Sequence, residues 1–427
     1  MIVTTPPPGP ARTPLTASGA HGDTTREPDG AYLDHAATTP MSAAALAAYV
    51  AEAQRTGNAS SLHSAGRTSR RAVEEARETV AKSLGARPSE VIFTSGGTEA
   101  DNLAIKGIFW GRRAQDTRRS RVLVSAVEHH AVLDPAFWLA GHAGAEIVLL
   151  PVDAEGRLDL DALRAELAAH AAETALISVM WANNEVGTIQ PVRDVVRAAR
   201  PYGIPVHTDA VQAVGQTEVD FAESGVDAMT VSAHKLGGPV GVGALVARRD
   251  LALDAVLHGG GQERGVRSGT LDAASIAAFG VATRHAVGCL PQRAARLRAL
   301  RDDLVARVGV AAPSAVLRGP EPAGDRLPGN AHFTFPGAEG DSLLYLLDSA
   351  GVQASTGSAC QAGVPQPSHV LLAMGVPEAE ARGALRFTLG ATSTEADVDR
   401  LVAALPQVVA RAQAAGLVSG RAMGGAS

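Results

Sequence analysis

IPVHTDAVQAVGQTEVDFAESGVDAMTVSAHKLGGPVGVGALVA, residues 204–247, is the stretch whose reading decides the fold. It holds three short runs rich in β-branched residues: IPVHTD (204–209), DAMTVS (227–232) and VGALVA (242–247). Each is apolar, brief and bounded by turn residues, which is the signature of a buried strand. Two of them stop on groups able to do chemistry, Asp209 in one case and Ser232, His234 and Lys235 in the other.

The same rhythm runs upstream. VIFT (91–94) enters a Gly-Gly turn and a helix from Thr98. RVLVS (121–125) precedes a helix near His130, EIVLL (146–150) one at 159–170, and ALISVMW (175–181) one at about 191–200. Strands alternating with helices predict an α/β fold, a mostly parallel seven-stranded sheet covered on both faces. After residue 285 the alternation stops. A long helix (about 292–308), HFTF (332–335), a helix at 340–350, LRFTL (385–389) and a helix at 395–414 read as a smaller α+β unit.

The predicted organisation is a tail at 1–30, a large domain at 31–285, a small C-terminal domain at 286–415 and a flexible tail at 416–427. The first ~20 residues of the large domain have the option of joining the small one. Residues 1–30 carry six prolines and four glycines, a composition that resists packing.

Composition narrows the function. Of 427 residues, 46% are hydrophobic and 19% charged, enough apolar surface for a large core. A net charge of −6 and 4% aromatics supply neither a basic surface nor stacking platforms for nucleic acid. No apolar run reaches the ~18 residues of a membrane span, and the proline-broken N-terminus does not read as a signal peptide. Two cysteines make no disulfide framework, so a cytoplasmic setting is expected, with a thiol free to work.

In open α/β sheets ligands sit beyond the carboxyl ends of the strands. There this sequence places Ser95-Gly96-Gly97-Thr98, Glu128-His129-His130, Asn183-Asn184-Glu185, Asp209 with Gln212, and Ser232 with His234 and Lys235. The Gly97-Thr98 turn suits a phosphate, though a plain tight turn has the same form. Gln212 and Asn184, taken singly, read equally well as caps or loop polar groups. Lys235, between an apolar strand and glycines, is a candidate Schiff-base lysine. Asp209, one strand earlier, is the carboxylate that would keep a pyridine nitrogen protonated, the condition for pyridoxal 5'-phosphate to act as an electron sink.

Taken in order, LDHAATTP, GNASSLHSAGR, FTSGGTEADNLAIKG, EHHAVLD, ANNEVG, HTDAVQAVG, SAHKLGGPVGVGAL, ERGVRSGT, STGSAC and LRFTLG resemble the cysteine desulfurases of the NifS/IscS type, from about residue 32 to 405. These are fold-type I pyridoxal-phosphate enzymes of the class V aminotransferase group. The resemblance implies that Lys235 bears the cofactor, Asp209 meets its ring nitrogen and His129 stacks on its ring. It puts Gly97, Thr98, Ser232 and His234 at the phosphate, with Thr270 of RSGT reaching across from a second subunit of a homodimer. Gln212 falls on the phenolic oxygen, and Asn184 and Arg386 on the substrate carboxylate. No metal is implied.

Cys360 decides the reaction. It lies in STGSACQAGVPQP, small residues without apolar periodicity, which reads as an exposed loop. Cys289, beside helical Ala and Val, fits an inert structural thiol. The expected activity is conversion of L-cysteine to L-alanine, with sulfur passing to Cys360 as a persulfide. From there it would pass to an acceptor protein for iron–sulfur cluster assembly or thiolation. The alternatives are a selenocysteine lyase, another class V aminotransferase, or a non-enzymatic sulfur-transfer scaffold.

Overall fold

The computed structural model describes residues 30–357 and 366–424. The expected N-terminal tail and Cys360 lie outside the described residues. In chain order the strands are β1 (Ala31–Tyr32), β2 (Val91–Thr94), β3 (Arg121–Ser125), β4 (Glu146–Leu150), β5 (Thr174–Ser178) and β6 (Val206–Asp209). They continue with β7 (Ala228–Ser232), β8 (Gly243–Ala247), β9 (Val316–Arg318), β10 (Asn330–Thr334), β11 (Val352–Gln353) and β12 (Ala384–Thr388).

Seven strands form one sheet in the order β2-β8-β7-β6-β5-β3-β4. From β7 to β4 all neighbours are parallel. β8 is antiparallel to both β2 and β7. The connection from Ser232 to Gly243 is too short for the crossover of a dozen or more residues that a parallel pair needs. The sheet is thus mostly parallel, with the VGALVA run as its reversed member.

Alternation of side chains sends successive residues to opposite faces. Phe93, Leu123, Ile177, Val206, Met229 and Val246 pack on one face, against residues such as Val73, Val80, Val195 and Phe279. Ile92, Val122, Val124, Leu176, Ala228 and Leu245 pack on the other, against Ile105, Ile108, Phe109, Val132 and Leu139. Burial on both faces is why these strands read as near-continuous apolar runs.

A second core gathers around the antiparallel sheet β12-β10-β9. Phe333 and Phe387 meet Leu297 and Leu304 of the helix Leu290–Ala311, Leu343 and Leu347 of Gly340–Ser349, and Leu401 and Leu405 of Glu395–Gly424. Ala31 and Leu33 join this core while β1 pairs with β11. One expectation needs correction. The last helix is expected to end at 414, and the helical backbone runs to Gly424.

Candidate active site

The strands β2, β3, β5, β6 and β7 bring their carboxyl ends to one edge of the sheet, where β8 begins. Gly243 makes that edge close-packed. A Cβ there would stand 2.7 Å from the Val231 carbonyl oxygen and 2.8 Å from the Gly96 carbonyl carbon, so only glycine lets β8 start against the Gly96 turn.

Lys235 ends a single turn of 3-10 helix that follows β7 directly. Its Nζ donates to the carbonyl oxygens of Ala36 at 2.5 Å and Ala37 at 2.8 Å, in the segment after β1. Gln212 Nε2 donates to the same Ala36 oxygen at 2.9 Å. Burial pushes the Lys235 amine down to about 8, Arg386 adds to this, and Asp209 and Asp34 oppose it. A lysine so placed is a nucleophile near neutral pH.

Asp209 closes β6. It is 6% exposed, and its Oδ1 accepts from Val211 N at 2.8 Å. Burial raises its carboxyl to about 6, against the Val211 hydrogen bond and the Lys235 charge. His129 follows β3 and caps the helix His130–Ala143, its Nδ1 accepting from Ala131 N at 3.1 Å. The residue is exposed to solvent overall. Partial desolvation of the ring, then the charge of Lys235 and the neighbouring His130 and His369, lowers it to about 4. It is therefore neutral at physiological pH.

The helix Gly97–Gln115 begins without a side-chain cap. Its first N–H groups and the positive end of its dipole lie at the strand ends. Nothing lies within 4 Å of where a Gly96 side chain would be. Beside the turn, Ser232 is 2% exposed and its hydroxyl has no partner. A buried hydroxyl left unpaired costs about 1–3 kcal/mol, and an anion seated on Gly97 and the exposed Thr98 would satisfy it. His234 is held to Thr38 by a 3.1 Å contact from Nδ1 to Oγ1, and burial lowers its ring to about 4. The residues present therefore fit a phosphate ester.

Arg386, on β12, reaches in from the second sheet. Its guanidinium donates to the Asn184 carbonyl oxygen and to Asp34 Oδ1, both at 2.8 Å, and its buried Nε has no partner. Asn184 thus enters through its backbone carbonyl. Thr270 is exposed and forms no side-chain hydrogen bond to the other candidates. Its loop is tied to the anion turn one step away, because Arg267 Nε donates to Glu99 Oε1 at 2.6 Å and Glu99 Oε2 accepts from Ser95 N at 2.7 Å.

The geometry adds Asp34, Ser368, His369 and Asp101, which the sequence did not single out. Asp34 partners Arg386. Glu185 Oε2 accepts from Ser368 Oγ at 2.5 Å. His369 Nε2 lies 2.9 Å from the Glu128 carbonyl oxygen. Asp101 sits in the otherwise apolar stripe Ala100, Ala104, Ile105 and Ile108, and that interruption was the signal available for it.

Residues 31–401 match the family model described as aminotransferase class-V. The chain is 56% identical over 389 residues to an IscS-like cysteine desulfurase of Mycobacterium tuberculosis, covering 91% of this chain and 98% of that protein. A solved structure described as a NifS-like protein superposes with a TM-score of 0.82 at 34% identity, covering 89% of this chain and 99% of its own. A structure of SspA in complex with cysteine superposes with a TM-score of 0.73 at 32% identity, covering 85% of this chain and 99% of its own.

Proposed function

The chain belongs to the class-V aminotransferase family, and from that premise we infer that it is a cysteine desulfurase using pyridoxal 5'-phosphate. The observation that carries this reading is the half-buried amine of Lys235 set at the strand ends within reach of the Asp209 charge, with an uncapped helix start and the unpaired Ser232 hydroxyl nearby. Relatives named as cysteine desulfurases align over this whole region.

Gly97, Thr98, Ser232 and His234 hold the cofactor's phosphate, Asp209 its ring nitrogen, Gln212 its phenolic oxygen, and His129 the face of its ring. Thr270 of a second subunit of a homodimer completes the phosphate site. Bound there, the cofactor supplies an aldehyde that joins amines and a ring that accepts an electron pair from the substrate α-carbon.

The protein's own residues do the rest. Arg386 and Asn184 grip the carboxylate of L-cysteine, the planar guanidinium fork suiting a bidentate contact. Arg386 already spends one edge on Asp34, so the substrate shares it with that carboxylate. Lys235, unprotonated above about pH 8, takes the α-proton at Nζ. The Cys360 thiolate attacks the substrate sulfur: an S–S bond forms, the C–S bond breaks, and the carbon skeleton leaves as L-alanine. Neutral His129 passes a proton near the thiol. The persulfide on Cys360 then goes to an acceptor protein, for iron–sulfur cluster assembly or thiolation.

The test is Cys360→Ala. The variant keeps the visible absorbance of bound cofactor and forms no alanine from L-cysteine. Continued alanine release would overturn the role of Cys360, and a wild-type protein that leaves L-cysteine unchanged would overturn the activity.

A further inference from the structure

Three buried carboxyl groups come close enough to influence one another behind the strand ends. Asp101, from the helix Gly97–Gln115, is 1% exposed; Glu128, after β3, is 0%; Asp209 is 6%. Each is near enough to Asp209 for that charge to disfavour ionisation of Asp101 and of Glu128. Like charges in a low-dielectric interior cannot all persist without partners.

The partners present favour Asp209. It accepts a backbone N–H and faces Lys235. Glu128 Oε1 accepts from Met180 N, while its Oε2 has no partner. Asp101 Oδ1 also has none, and His207 Nε2 lies 3.5 Å from it.

That histidine belongs to a buried chain of hydrogen bonds. His207 Nδ1 lies 2.9 Å from Ser178 Oγ, and Nε2 lies 3.0 Å from Thr230 Oγ1. Thr230 stands opposite Asp209 in the β6–β7 register. His207 and Asp209 are two residues apart on one strand, so their side chains share a face. Asp101 therefore stands, through His207 at 3.5 Å, against the strand that presents Asp209.

We propose that Asp101 is a positioning residue that carries a proton, so that the negative charge of this cluster resides on Asp209, opposite the cofactor ring. The proposal deepens the reading of Asp209 given above and rests on it.

Two measurements test it. The first uses the apoenzyme labelled with carboxyl-¹³C aspartate, at about pH 8, where an ordinary aspartate is ionised. Infrared spectra should show a protonated carboxyl band that shifts with the label and disappears in Asp101→Asn. Absence of that band, or its loss in Asp209→Asn alone, would overturn the proposal. The second uses holoenzyme carrying ¹⁵N-pyridoxal phosphate. Asp101→Asn, the neutral isostere, should leave the ring-nitrogen shift at its wild-type value and change cofactor affinity by less than about threefold. A shift toward the unprotonated value would mean that Asp101 held the charge and would overturn the proposal. Asp209→Asn should move the ring-nitrogen shift. If it does not, the reading of Asp209 itself fails, and the infrared result still decides the state of Asp101. If Asp101→Asn does not fold, absence of the labelled band from the wild-type spectra still overturns the proposal.

Discussion

Lys235 carries its amine where a cation is poorly solvated, and that has a measurable consequence. Burial and the Arg386 charge bring it down to about 8. Only the unprotonated amine can attack an aldehyde. Covalent uptake of pyridoxal phosphate by the apoenzyme should therefore accelerate about tenfold per pH unit below pH 8 and level off above it. Stopped-flow absorbance gives the rates, and borohydride trapping with mass spectrometry locates the adduct. A rate still climbing toward pH 10 would mean an ordinary solvated lysine, and trapping in Lys235→Ala would mean another residue is used. Lys235 and Asp209 stood out in the sequence because Asp209 ends an apolar strand and Lys235 follows one by three residues, where ionisable side chains are conspicuous. Asp34 was not, because nothing local in LDHAATTP announces an arginine on β12.

At the level of elements, strand β2 and the anion turn after it depend on a buried clamp. Glu263, at φ +44°, receives Arg77 at 2.8 and 2.7 Å and Phe93 N at 2.7 Å. Arg77 also donates to the Val91 carbonyl oxygen at 2.8 Å and lies 4.7 Å from the Phe93 ring centroid. One carboxylate thus ties the helix Ser64–Ser83 to β2, two residues before the Ser95-Gly96-Gly97 turn. Removing one partner of a buried ion pair typically costs about 3–5 kcal/mol. Glu263→Ala should lose that much in chemical denaturation and bind pyridoxal phosphate more weakly, because the turn loses its support. A loss below about 1 kcal/mol would show that the clamp is dispensable. The strands themselves were readable, being short β-branched runs between turn residues. The reversal of β8 was not read, although the brevity of its connection dictates it. The clamp was beyond reach, since its partners are 186 residues apart and neither sits in a local pattern that requires the other.

Across the whole molecule, the two cores share one sensitivity to acid. His35, His207 and His332 are buried, and desolvation lowers them to about 4, 3 and 3. In the unfolded chain each titrates near 6.5. Between about pH 6.5 and the folded value the unfolded state binds the extra proton, so stability falls as pH falls through that window. The slope is about 1.4 kcal/mol per pH unit for each histidine. Asp101 and Glu128 work in the opposite sense. Burial raises them, so the folded state keeps protons that the unfolded state releases above about pH 4, and they soften the acid loss. His332 isolates the first effect. Neither of its ring nitrogens has a partner, and its charged form would stand near Arg386, Arg326 and Arg318. His332→Leu removes that imidazole from the second core. Its stability at about pH 7 should equal or exceed that of the wild type, because an unpaired buried polar group is gone. Between about pH 6.5 and 5 the variant should lose about 2 kcal/mol less than the wild type in urea denaturation. An acid limb identical to that of the wild type would mean that His332 accepts its proton in the folded protein, which would require a rearrangement of β10 against β12 around Arg386.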